Sequence, residues 1–171
     1  MNRVQIVEQL PGLRRYARAL TGDAWAADDL VQDTLERACR KWLLWRGGSN
    51  LRAWLFTLMH NLYLNQRRGL VPVQALDVDA LAAIADAADA SHETAMDLDR
   101  CLQRLPADQR AVLLLVTLED MAYADVARVL GIPEGTVMSR LSRARARMRE
   151  LMEPSAPAQP SSTPTALRRM K

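Results

Sequence analysis

Tyr123-Ala-Asp-Val-Ala-Arg-Val-Leu130-Gly-Ile-Pro133-Glu-Gly-Thr-Val-Met-Ser-Arg140-Leu-Ser-Arg-Ala-Arg145 reads as two helices and a tight turn. Tyr123, Val126, Ala127 and Leu130 recur at helical spacing and predict a short helix. Gly131-Ile-Pro133 ends it, because glycine accepts the left-handed backbone of a helix end and proline fits the start of a new helix. Val137, Leu141, Ala144 and Met148 then form the buried side of a second helix. Arg140, Arg143, Arg145, Arg147 and Arg149 crowd into ten residues of that helix with no acid among them. A short helix, a glycine-containing turn and an arginine-rich helix predict a helix-turn-helix that reads DNA. The plain alternative is a helical hairpin with a solvated basic face. By the helical period, Thr136, Ser139, Arg140 and Arg143 come together on the outer side. Arg140 is then the candidate for a bidentate guanine contact, and Arg147, two turns further on, is the candidate phosphate clamp.

The same period organises the rest of the chain. Leu98, Cys101, Leu102 and Leu105 form a stripe on a helix beginning near Thr94, and Pro106 breaks it and opens a helix containing the apolar run Ala111 to Val116. Near the N-terminus, Leu13, Tyr16, Ala17 and Leu20 predict a helix that Gly22 ends, with Pro11 near its start and a short helix before it. Asp23 is a candidate cap for the next helix. There Ala27, Leu30, Val31, Thr34, Leu35, Ala38 and Trp42 make one stripe, while Asp29, Gln32, Asp33, Glu36 and Arg40 occupy the opposite face. Trp45 to Asn50 is a loop, and the following helix buries Leu51, Trp54, Leu55, Leu58 and Leu62 before stopping near Gly69. On it Asn61 and Asn65 share a face, and Arg67 and Arg68 follow. Amides can read base edges and arginines can hold phosphate. Phe56 and Tyr63 are candidates for stacking on unpaired bases, weighed against a core role for each.

Composition agrees with helices. The chain has 171 residues, 49% hydrophobic and 25% charged, and only 5% aromatic, which favours an all-α fold with packed cores. Charge divides it. Residues 1–70 hold 11 Lys/Arg against 6 Asp/Glu, 71–95 none against 5, 96–153 9 against 9, and 154–171 3 against none. We therefore expect two small helical bundles, 1–70 and 96–153, joined by a flexible acidic linker, 71–95, and followed by a disordered Pro/Ser tail, 154–171. No apolar run is long enough for a membrane helix, and the N-terminus does not resemble a secretory signal. Cys39 and Cys101 are isolated, which excludes a disulfide framework and a cysteine zinc site and fits a reducing cytoplasm; both are expected as small buried residues. Asp28, Asp29, Asp33 and Glu36 cluster without the histidine of a carboxylate metal site, and His60 and His92 lie far apart. With no phosphate loop and no nucleophile signature, the sequence argues for a binding protein without cofactor or metal rather than an enzyme.

Three segments carry a family resemblance. Asp28-Asp-Leu-Val-Gln-Asp-Thr-Leu-Glu-Arg-Ala38 resembles region 2.2 of bacterial sigma-70 factors, and Leu51-Arg-Ala-Trp-Leu-Phe-Thr-Leu-Met-His-Asn61 is similar to the segment that follows it in that family. Tyr123 to Arg145 resembles region 4.2. All three in order, with no third domain between, resemble the extracytoplasmic-function (ECF) group. The resemblance implies a transcription initiation factor that binds core RNA polymerase and directs it to promoters, the first bundle at the −10 element and the second at the −35 element. By position it assigns Asp29, Gln32, Asp33 and Glu36 to core polymerase. It assigns Trp45, Ser49 and Asn50 in the loop, with Asn61, Asn65 and Arg68, to −10 DNA, and Thr136, Ser139, Arg140, Arg143 and Arg147 to −35 DNA. Asn65 stands where the family often has Asp, and Met59 and His60 replace a usual small or β-branched pair. The family commonly has an anti-sigma partner, for which hydrophobic faces near both domains are the expected dock. The rival is a dimeric helix-turn-helix regulator, which leaves the Asp28–Ala38 face and the Trp/Asn/Arg helix without a purpose.

Overall fold

The computed structural model describes residues 3–41, 50–69 and 90–153. The expected linker through residue 89, most of the Trp45–Asn50 loop and the expected tail lie outside them. The described residues form seven helices: α1 (Arg3–Thr21), α2 (Ala24–Arg40), α3 (Leu51–Gly69), α4 (Ala90–Gln103), α5 (Ala107–Thr117), α6 (Tyr123–Leu130) and α7 (Glu134–Met152).

Local chemistry sets most of the ends. Gly22, at φ 72°, closes α1, and Asp23 caps α2 by accepting the Ala26 N–H at 2.7 Å. Asn50 does the same for α3 through the Ala53 N–H at 3.1 Å. Gly131, at φ 64°, turns the chain after α6, and the Ile132 N–H reaches back to the Ala127 carbonyl at 3.1 Å. Pro133 then leads into α7. The helix-turn-helix is thus present with the predicted bounds.

Four expectations need correction. The N-terminal segment is one helix running through Pro11, not a short helix followed by another. Proline forfeits one backbone hydrogen bond, and the turns on either side, with Leu13, Tyr16, Ala17 and Leu20 fully buried, hold the helix together. The fourth helix begins at Ala90 rather than near Thr94, since no Gly or Pro interrupts Ala90 to Met96. Cys39 is exposed and only Cys101 is buried, because Cys39 lies just off the α2 stripe, in the wall of a groove shared with α1. Leu98 is 43% exposed, so the α4 stripe is not buried along its whole length.

Two bundles are recognisable, α1–α3 and α4–α7, but they are packed against each other. The core is one cluster that runs from Leu13 to Met148. Helix α3 lies at its centre, joined to α2 on one side and to α6 on the other. Leu55 and Leu58 fill the first bundle as predicted. A second set, Phe56, Met59, His60 and Tyr63, is also buried. Helix α1 makes parallel use of its length, packing on α2 within its bundle and on α4 and α5 across the divide.

Candidate functional site

The α2 surface forms as its sequence pattern requires. Ala27, Leu30, Val31, Thr34 and Ala38 turn inward, which leaves Asp29, Gln32 and Glu36 exposed and Asp33 half-buried. Gln32 donates to Glu36 at 3.4 Å, and Glu36 pairs with Arg40 at 3.5 Å. Asp33 accepts from Gln66 of α3 at 3.3 Å, which links the two helices. Beside this row a groove runs between α2 and α1, floored by Val31 and Leu35 and flanked on the α1 side by Arg14, Arg15 and Arg18. These three arginines were not among the sequence candidates. Their spacing of one, then three, residues on the polar side of α1 was the available clue.

The α3 residues assigned to DNA separate into two groups. Asn61, Asn65 and Arg68 are exposed together, and Arg67 lies over the Tyr63 ring at 5.9 Å. Asn50 is exposed, but its amide donates to Asp125 of α6 at 3.3 Å. Trp45 and Ser49 fall outside the described residues. Phe56 and Tyr63 are not available for stacking in this conformation. Phe56 is fully buried and meets Tyr16 edge-on at 5.3 Å, and the Tyr63 hydroxyl accepts from Arg110 of α5 at 3.1 Å. Their burial has a plain cause: both belong to the second inward face of α3.

On α7, Val137, Leu141, Ala144 and Met148 are buried as the period predicts. Ser139 and Arg143 are exposed and joined, Arg143 donating to the Ser139 carbonyl at 3.3 Å, while Ser139 donates to the Thr136 carbonyl at 3.1 Å. Arg140 lies on the flank instead. It is partly buried, pairs with Asp108 of α5 at 3.3 Å and sits near His60 of α3. Arg147 is exposed and pairs with Glu150 at 2.9 Å.

Between the two bundles runs a seam of enclosed polar groups that sequence reading did not anticipate. Burial, with the Arg140 charge nearby, lowers the His60 pKa to about 4, so the ring is neutral at physiological pH. Burial and the neighbouring Tyr63 push the Tyr16 phenol up. Arg110 is buried and donates to Tyr63 and to Gln103. Glu119 is 1% exposed and is held by Arg15 and Arg52 of the first bundle. No sequence signal marks such pairs, because their members lie far apart along the chain. Among the described residues no group of His, Cys, Asp and Glu is arranged to hold a metal ion, and no helix is long and apolar enough to cross a membrane.

Known proteins share this arrangement. Residues 6–60 match the family model described as the Sigma2 domain of PhyR, and residues 95–148 match Sigma-70, region 4. The ECF RNA polymerase sigma factor EcfG of Rhodopseudomonas palustris is 36% identical over 154 residues, which cover 88% of this chain and 84% of that one. The ECF sigma factor SigM of Mycobacterium tuberculosis is 36% identical over 140 residues, 82% of this chain and 71% of that one. In solved structures, the sigma factor RpoE in complex with the anti-sigma factor NepR from Bartonella quintana superposes with a TM-score of 0.73 at 34% identity, covering 90% of this chain and 98% of that one. CnrH, in complex with the cytosolic domain of CnrY, shares the fold at a TM-score of 0.68 and 24% identity.

Proposed function

This chain belongs to the extracytoplasmic-function family of RNA polymerase sigma factors, directing polymerase to promoters, and we propose that it divides that work among three surfaces. The exposed face of α2, with Asp29, Gln32 and Glu36 and with Asp33 at its edge, docks on core polymerase. The α3 face with Asn61, Asn65 and Arg68, together with Trp45, Ser49 and Asn50, engages the −10 element. Helix α7 enters the −35 major groove with Ser139 and Arg143 foremost, Thr136 and Arg140 on the flank, and Arg147 on phosphate. The chain acts by binding rather than by catalysis, in the cytoplasm where polymerase works. The observation that carries this reading is the pairing of an exposed acid-amide row on α2 with a formed helix-turn-helix in the same chain. A dimeric repressor needs the second and has no use for the first.

An apolar groove on the second bundle, lined by Leu98, Leu102, Leu113, Leu118 and Met148 with Arg145 and Arg149 at its rim, suits an amphipathic helix bearing acidic residues. We assign it to an anti-sigma protein, as the RpoE–NepR relationship suggests. Run-off transcription with purified bacterial core polymerase on a promoter-pool template tests the central claim. Discrete transcripts should require both core and this chain. Repression without core, or no transcripts with it, would return the chain to the repressor class.

A further inference from the structure

Helix α7 is held in the helix-turn-helix by Val137, Leu141, Ala144 and Met148, which turn inward, the helix packing on α5 and α6. Towards its N-terminal end the outer side presents Gly135, Met138, Ser139, Ser142 and Arg143, all exposed. Serine and arginine belong on a face turned to water or to DNA. Met138 does not, yet it is 52% exposed and no part of the core. Of the large apolar side chains exposed among the described residues, it is the one in the N-terminal half of α7. A single exposed apolar residue is ordinary on a protein surface. Two further observations set this one apart.

Gly135 lies nearly one turn before Met138 on the same side. Unlike Gly22 and Gly131 it has no left-handed backbone, and a Cβ there would meet nothing within 4 Å. Neither conformation nor packing within this chain calls for glycine, which weakens a helix relative to alanine. What does call for it is a body outside the chain that approaches this turn closely. The neighbouring polar groups, meanwhile, are drawn back along the helix. Ser139 donates to the Thr136 carbonyl at 3.1 Å, and Arg143 donates to the Ser139 carbonyl at 3.3 Å. Met138 is thus the longest side chain in a patch whose other members are Gly135, Ser139 and Ser142.

In the major groove each base pair shows its own set of donors and acceptors, and thymine alone of the four bases adds an apolar group, its C5 methyl. A recognition helix meets base edges with its N-terminal residues. We propose that Met138 is a specificity-determining residue of the −35 contact: its thioether packs on a thymine methyl, and Gly135 lets the helix come close enough for that packing. The contact rests on the reading of α7 as the −35 helix. It adds to the hydrogen-bonding residues named there a base preference of apolar origin, for which a flexible, polarisable side chain is suited.

Deoxyuridine lacks only that methyl and keeps every hydrogen-bonding group of thymidine, so it isolates the contact. Holoenzyme assembled from bacterial core polymerase and the full chain selects a duplex from a randomised promoter pool, and each thymine of the −35 element, on either strand, is then replaced in turn by uracil. Wild type should bind about fourfold more weakly at one such position, the worth of one buried methyl group. Met138→Gln, of similar length but polar, should bind the two duplexes alike, and Met138→Leu should keep most of the preference, with helical circular dichroism unchanged in both. Gly135→Ala should raise the melting temperature of the chain yet lower its affinity for the selected duplex, a combination that a purely structural glycine would not give. Uracil that costs wild type nothing at every −35 position, or a preference that survives in Met138→Gln, would overturn the Met138 contact and leave α7 as the −35 helix. Unchanged or tighter binding by Gly135→Ala would overturn the part given to the glycine. A holoenzyme that selects no −35 sequence would overturn the reading of α7 itself, and the contact with it.

Discussion

Asp29 and Asp33 are four residues apart on one helix, yet their surroundings give them different uses. Asp29 is exposed, whereas Asp33 bonds to Gln66 across α2 and α3. Asp29→Arg should therefore weaken core polymerase binding about tenfold or more through charge reversal. It should cost the fold under about 0.5 kcal/mol. Fluorescence titration against core, with a thermal melt alongside, checks both. His60 makes a second residue-scale prediction. Its pKa is lowered from the ordinary 6.5 to about 4, so the unfolded chain takes up its proton first as pH falls. Its contribution is full above pH 6.5, declines between 6.5 and about 4, and is lost below that, up to about 3 kcal/mol. The charged group beside it is Arg140, which adds to this effect. Urea unfolding of wild type and His60→Leu across that window should show the variant's stability falling less with acid. Parallel curves would mean that His60 titrates normally.

Helices were the most legible part of the sequence, because each has a stripe that repeats at the helical period. Val126 and Val137, Leu141 and Ala144 mark the helix-turn-helix from sequence alone, and all are buried. Leu141→Ala should cost about 2–5 kcal/mol by opening a cavity, measurable by chemical denaturation. Helix α3 was legible on one side only. Leu55 and Leu58 gave its first face, but Phe56 and Tyr63 share the helix with Asn61 and Asn65 and were open to a second use in DNA binding. An isolated sequence does not say which of two apolar faces meets another domain. The recognition helix carries a prediction of its own. On a selected −35 duplex, Arg147→Ala should weaken all sequences alike and lower the slope of log affinity against log salt by about one. Arg140→Ala should relax preference at one base pair, by about 1–3 kcal/mol. Titrations on single-base-changed duplexes at several salt concentrations separate the two, and the reverse pattern would exchange their roles.

For the whole molecule, the decisive contacts span long stretches of chain. Arg15 and Glu119 are 104 residues apart, and Gln103 reaches the Ala19 carbonyl across 84. No local pattern encodes such pairs, which is why the charge blocks predicted two independent units and the structure joined them. A joined core predicts joined unfolding. All four tryptophans lie in residues 1–70, so indole fluorescence reports the first bundle while far-ultraviolet circular dichroism reports both. Heating should give coincident transitions by the two probes. Two separated midpoints would show that the bundles melt independently despite their contact.

The two-sided burial of α3 also has a consequence in time. During synthesis this helix is complete at Gly69, whereas α6, which packs on its other side, is complete only at Leu130, 61 residues later. At ordinary elongation rates that interval is about 3–12 s. For those seconds the side of α3 that packs on α6 has no cover from its own chain, and the nascent protein presents that helix face to whatever is nearby. A fragment ending at residue 70 should consequently bind a hydrophobic dye or aggregate where the full chain does neither. The newborn first bundle is most in need of a chaperone before its second half exists.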